Sequence, residues 1–239
     1  MTATELVYNP YAFAIHDDPY ETYRRLRDEA PAYWNPDLSF WVLSRFEDVQ
    51  NAFKDFDTFS STGGVALESR RRRDAGRMEF QQMIEMDPPD HTSFRKLVNR
   101  IFTGRRVAAM EDDIRNIFNG YLDQIIEQGE ADLVEEVTSP FPMDVISAFL
   151  DIPEGDRAQL RSYSDTILIR EDGKMELPQV AAEGMFAMLQ YFIDDLPKRR
   201  KNPRNGIIDD LLTLEVDGRS LTEEELLGFC ILFVIAGHE

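Results

Sequence analysis

Apolar and polar residues alternate with helical period along most of this chain. After Asp18-Pro19, the residues Tyr20, Tyr23, Leu26 and Ala30 form a helical stripe, which Pro31 closes. The runs Ala32-Tyr33-Trp34 and Phe40-Trp41-Val42-Leu43 flank the turn Asn35-Pro36-Asp37 and predict a short hairpin. Ser44 with Glu47 predicts a capping box opening a helix through Phe53. A second stripe joins Phe94, Leu97, Val98, Ile101 and Phe102, with Asp87 as N-cap and Pro88 at the first helical position. Beyond Gly104, the positions Val107, Met110, Ile114, Ile117, Phe118, Tyr121 and Ile125 predict one long amphipathic helix that Gly129 ends. Helices are also expected over 138–150, from Asp156 as cap to Ile169, and over 207–214. Another starts at Pro178, with Ala182, Met185, Phe186, Leu189, Phe192 and Ile193 on its apolar side. The last helix differs in kind. Thr222 and Glu225 form a capping box, and Leu226 to Ile235 is apolar almost all round, as in a buried central helix. The expected fold class is mainly α with a small β component. One domain is expected over 1–239, without repeats, low-complexity tracts or an internal boundary.

Hydrophobic residues at 43% and aromatic residues at 11% suffice for a sizeable core. The single cysteine, Cys230, excludes an internal disulfide and fits a reducing compartment. No basic segment followed by an apolar run opens the chain, and the longest apolar run is about half of what a bilayer needs. A soluble cytoplasmic protein with no membrane partner is therefore expected. The formal charge of −19 argues against nucleic acid as a partner. Basic residues nevertheless cluster at Arg95, Lys96, Arg100, Arg105 and Arg106, at Lys198–Lys201 with Arg204, and at Arg70–Arg73. Each cluster reads most simply as a solvated face that offsets nearby acids. Around 60–77 the periodicity fails and Gly63, Gly64 and Gly76 indicate a long loop, which serves either a functional role or none. Met143, Met175, Met185 and Met188 read as adaptable core.

Two local patterns carry candidate chemistry. His91 and Arg95, four residues apart, stack at the edge of the second stripe, while Lys96 and Arg100 point the other way, to solvent. An arginine beside a buried face needs an anion, because its charge cannot be shed. That anion is either an internal carboxylate or an acidic group on a cofactor. In the last helix, Ala236-Gly237 removes side-chain bulk, for close helix packing or for the approach of a flat group to the backbone. Cys230 has no glycine-rich or positive surroundings that favour a thiolate and reads as a small buried hydrophobe. His16, His91 and His238 have no metal-ligand spacing.

The run Asp87-Pro-Pro-Asp-His-Thr-Ser-Phe-Arg-Lys-Leu-Val98 closely resembles the His-x-x-x-Arg helix of the soluble bacterial haem-thiolate monooxygenases, the cytochrome P-450 family. The terminal Ala236-Gly-His-Glu239 resembles the start of that family's oxygen-activating motif, Ala-Gly-x-Glu/Asp-Thr. The order helix, hairpin, helix near the N-terminus is also similar to the family's layout. The resemblance implies the N-terminal portion of a cytochrome P-450-like fold, ending inside the oxygen-activating helix. The Glu-x-x-Arg helix and the cysteine loop that ligates iron in that family have no counterpart here.

What the resemblance implies about chemistry is specific. The complete protein would use haem b and its iron to insert one oxygen atom from O2 into an apolar small molecule. His91 and Arg95 would hold the haem propionates. Ala236 and Gly237 would make room at the oxygen side, with Gly237 and Glu239 in the catalytic machinery and Glu239 in the proton relay. No metal ligand is assigned within the chain. Electrons would come from NAD(P)H through a ferredoxin-type or similar redox protein, docking near Lys96, Arg100, Arg105 and Arg106. The 239-residue chain alone would be inactive. The alternative is a non-enzymatic helical module of the same ancestry, binding an apolar ligand or a partner.

Overall fold

The computed structural model describes residues 5–69, 82–204, 206–215 and 218–238. The expected Arg70–Arg73 cluster, part of the expected 60–77 loop, and Glu239 lie outside the described residues. The chain forms two compact units, Met1–Glu79 with Ile169–Gln179, and Phe80–Leu168 with Val180–Glu239.

The first unit holds α1 (Phe13–Asp17), α2 (Tyr20–Glu29), the antiparallel strands β1 (Ala32–Asn35) and β2 (Phe40–Leu43), and α3 (Phe46–Lys54). The hairpin forms as expected, with Trp34 opposite Trp41 and Asn35 opposite Phe40. Asn35 is buried because its amide does local work. Its Nδ2 donates to the Tyr8 carbonyl at 2.8 Å, and its Oδ1 accepts from the Leu38 amide at 2.8 Å, which shapes the turn. The returning segment is tied in by the Gly173 amide donating to the Tyr11 carbonyl at 2.8 Å and the Phe13 amide to Asp172 at 2.8 Å. Of the stripe expected in α2, only Leu26 is buried, and Tyr20 is 79% exposed. The expected Ser44 cap of α3 does not form. Ser44 gives its amide and hydroxyl to the Pro31 carbonyl instead, and the helix starts at Phe46.

The second unit opens with a 3-10 turn (Met83–Glu85), followed by α4 (Asp90–Ile101), α5 (Gly104–Ala108) and α6 (Glu111–Ile125). A π turn (Val134–Thr138) leads to α7 (Pro140–Phe149), α8 (Glu154–Leu168), α9 (Gln179–Lys201), α10 (Ile207–Thr213) and α11 (Glu223–His238). Helix α11 is central: Leu226, Phe229, Cys230, Ile231 and Val234 are buried in one core with Phe94, Met143, Leu160, Met188 and Ile208. Its capping box forms as expected, with the Glu225 amide donating to Thr222 Oγ1 at 3.2 Å and the Thr222 amide to Glu225 at 2.9 Å. No helix among the described residues is long and apolar enough to cross a membrane.

Several boundaries move for physical reasons. Asp87 and Pro88 each precede a proline, which disfavours helical backbone, so α4 starts two residues later than expected, at Asp90 with Pro89 in the cap position. The expected long helix after Gly104 is two pieces, α5 and α6, and neither buries a residue. Asp156 does not cap α8; its carboxylate accepts from the Tyr191 hydroxyl at 2.9 Å. Helix α9 is turned relative to expectation. It buries Ala181, Gly184, Met188, Phe192 and Leu196, leaving Phe186 66% and Ile193 41% exposed. Gly184 sets that rotation by close approach: a Cβ there would lie 3.0 Å from Thr166.

The largest correction concerns the basic run 198–201. Arg199 is not solvated but fully buried. Its Nε donates to Asp195 at 2.5 Å, Nη1 to Asp209 at 3.3 Å and Nη2 to the Asp151 carbonyl at 2.9 Å. Arg204 binds the other Asp195 oxygen at 2.8 Å. Removing one member leaves buried charge uncompensated, so Arg199→Met is expected to lower unfolding free energy by about 3–5 kcal/mol, read by denaturant titration.

Candidate functional site

Helix α4 carries three different faces because successive side chains turn by about 100°. Phe94, Leu97, Val98 and Ile101 face the core, as the stripe predicts. Lys96 and Arg100 lie on exposed positions opposite. Arg95 lies on a third face, exposed, at the mouth of a cavity of about 280 Å³. Val98 and Asn99 of α4, with Phe102 just past its end, continue one wall from Arg95. Phe229, Leu232 and Phe233 of α11 make the other wall, and Met83 closes one side.

Aromatic packing builds this cavity. The Phe233 ring lies 5.3 Å from Phe102 and is stacked 5.3 Å from Phe229, with Phe149 edge-on at 6.3 Å. Arg95 has no hydrogen-bond or ion-pair partner among the described residues. The internal carboxylate that the sequence left open is therefore not there among those residues. A permanent cation with no partner among the described residues lies beside an apolar hollow, which suits an amphiphilic anion.

The other expected residues divide. His91, half-buried one turn before Arg95, does not line the cavity. Ala236 is exposed and follows Leu232 by one helical turn, just past the cavity wall. Gly237 packs on α7, where a Cβ would collide with Ile146 Cδ1. Close helix packing thus accounts for that glycine. Arg105 is exposed, whereas Arg106 forms an ion pair with Asp210 of α10.

Two residues escaped the sequence reading. Asn99 shares the cavity face with Arg95, and the spacing of four from 91 to 95 to 99 was the available signal. His238 is buried with Nε2 2.7 Å from Asp165 of α8 and Nδ1 without a partner among the described residues; its position beside Gly237 gave no sign of that contact. Cys230 is buried, and burial pushes its thiol well above the ordinary range, as expected for an inert core residue. No group of three or more His, Cys, Asp or Glu among the described residues is placed to hold a metal.

Comparison with known proteins agrees with this architecture. Cytochrome P-450 123 of Mycobacterium tuberculosis is 39% identical over 236 residues, covering 98% of this chain and 58% of the relative. The chain belongs to the cytochrome P-450 family, whose N-terminal part it matches. Cytochrome P-450 109 of Bacillus spizizenii is 32% identical over 92% of this chain and 53% of its own length. Among solved structures, the bacillaene polyketide synthase cytochrome P-450 of Bacillus subtilis superposes with TM-score 0.80 at 26% identity, covering 98% of this chain and 58% of that one. The chain thus spans little more than half the length of the cytochromes P-450 it matches. No family model matches it.

At Gly237, added bulk must displace Ile146. Gly237→Ala is expected to destabilise by about 1–2 kcal/mol, overpacking outweighing the better helix propensity of alanine. In Ile146→Ala the same substitution should become neutral or favourable, a coupling read by a double-mutant cycle in denaturant.

Proposed function

We propose that this chain is the N-terminal part of a haem-dependent monooxygenase that inserts one oxygen atom of O2 into an apolar small molecule and reduces the other to water. The observation that carries the reading is Arg95, without a partner among the described residues and lining an aromatic cavity, in a cytochrome P-450 homologue. These residues fit the acidic edge of haem b. Arg95 would grip a propionate through charge-assisted hydrogen bonds, and His91, one turn away and outside the cavity, would hold the acidic edge from its other side. The apolar side chains of α4 and α11 would exclude water from the macrocycle. When bound, haem supplies oxygen activation and electron transfer at its iron. The fit extends only to the propionate end. Cys230 is unsuited as the iron ligand, so the thiolate belongs to a segment of the whole protein matching the family's cysteine loop.

The protein's own residues have further roles in this reading. Ala236 leaves space one turn beyond Leu232, and Gly237 lets α11 sit close on α7. Glu239 would carry protons toward the oxygen side. Electrons would pass from NAD(P)H through a ferredoxin-type protein, steered by Lys96, Arg100 and Arg105, with Arg106 held by Asp210. Both compact units are taken as parts of one incomplete domain, a reading supported by alignments over 98% of the chain, and the protein is taken as cytoplasmic.

The reduced carbon monoxide difference spectrum tests the assignment. The 239-residue chain, verified by mass, is expected to give no thiolate-type Soret band, and a polypeptide extended to family length is expected to give one. A thiolate-type band from the 239-residue chain would overturn the placement of the ligand. In the extended protein, Lys96→Glu with Arg100→Glu should slow reduction by the ferredoxin about tenfold at low salt, with the difference shrinking as salt rises. Unchanged rates and salt dependence would rule out the steering face.

A further inference from the structure

Resting on the haem reading, we propose that Asn99 is a second anchor for the carboxylate that Arg95 holds, positioning the acidic edge of the cofactor against α4. The cavity offers very little polarity. Apart from Arg95 and Asn99, its lining is Met83, Val98, three phenylalanines and Leu232. Both polar residues stand on α4 four positions apart, so they project from one face, one turn from each other. Neither side chain has a partner among the described residues.

The chemistry of the pair is complementary. A carboxylate has two oxygens and about four acceptor sites, more than one guanidinium contact fills. Arginine supplies charge from a long stem, and the short asparagine stem fixes its amide close to the helix. Asn99 would donate from Nδ2 to the oxygen left free, defining the direction in which the group enters. A neutral amide suits this place better than a second cation, since it adds a donor without drawing a carboxylate partner from an acidic surface. His91 does not line the cavity, whereas Asn99 does, so within the cavity Asn99 is the group placed to share the carboxylate with Arg95.

The test is absorbance titration of the full chain with haemin and with haemin dimethyl ester, in which both carboxylates are masked. Arg95→Leu serves as the control for the underlying reading, and far-ultraviolet circular dichroism confirms helical content of every variant. Asn99→Leu should weaken haemin binding about threefold to tenfold, the range of one hydrogen bond to a charged acceptor near solvent. Asn99→Asp should weaken it further, by placing like charges together, and Asn99→Gln should restore part of the loss. With the dimethyl ester, the extra loss in Asn99→Asp should vanish. Haemin affinity that falls in Arg95→Leu but is unchanged in Asn99→Leu and Asn99→Asp would overturn the role of Asn99 and leave the haem reading standing. Affinity unchanged in Arg95→Leu, or equal for haemin and its ester in the wild type, would overturn both.

Discussion

The second unit depends on a guanidinium with no access to water. Arg199 closes the end of α9 against the Asp151 carbonyl before α8 and against Asp209 at the start of α10. Asp209 also accepts from the Gly206 amide at 3.0 Å, so the same carboxylate that neutralises Arg199 starts α10. Ile207, Ile208 and Leu211 of α10 are then buried in the core that holds α11. Burying these charges is tolerable only because each finds a partner; a half-filled network would be worse than an apolar one. The direction of α11, and with it one wall of the cavity, rests on this cluster.

The cavity itself combines two kinds of specificity. Its aromatic floor is non-directional and accepts apolar surface of many shapes. Its rim is directional, a fixed positive charge and an amide one turn along a rigid helix. Placing polar groups on a helix rather than a loop holds them to the precision that ligand orientation needs. The outer face of α4, with Lys96 and Arg100, is separated from that rim only by the rotation between adjacent residues. One short helix can therefore present a polar rim to the cavity and a separate basic surface to solvent.

Sequence periodicity was informative where burial alone decides structure. The stripe of α4, the all-apolar α11 with its Thr222–Glu225 box, and the Trp34–Trp41 hairpin all formed as the pattern implied. It failed where a side chain had a distant competitor for its hydrogen bonds. Ser44 prefers the Pro31 carbonyl and Asp156 the Tyr191 hydroxyl, partners invisible at short range. Charge runs misled for the same reason: nothing near Arg199 in sequence except Asp195 hints that it is buried. Arg95 was legible as needing an anion, yet only the structure removes a described carboxylate from its reach. Asn99 was passed over because an asparagine on a helix is unremarkable until its neighbours in space are known.

The pairing of Trp34 with Trp41 has a practical consequence. These are the only tryptophans in the chain, and their rings lie 5.2 Å apart on facing strands of the first unit. Red-edge excited fluorescence therefore samples that hairpin alone and is blind to local changes confined to the core around α11. A shift in emission reports loosening of the first unit, whereas melting of the second, which holds most of the helix, must be followed through the backbone. Comparing the two signals along one denaturant gradient would resolve whether the units lose structure in a single cooperative step or in sequence.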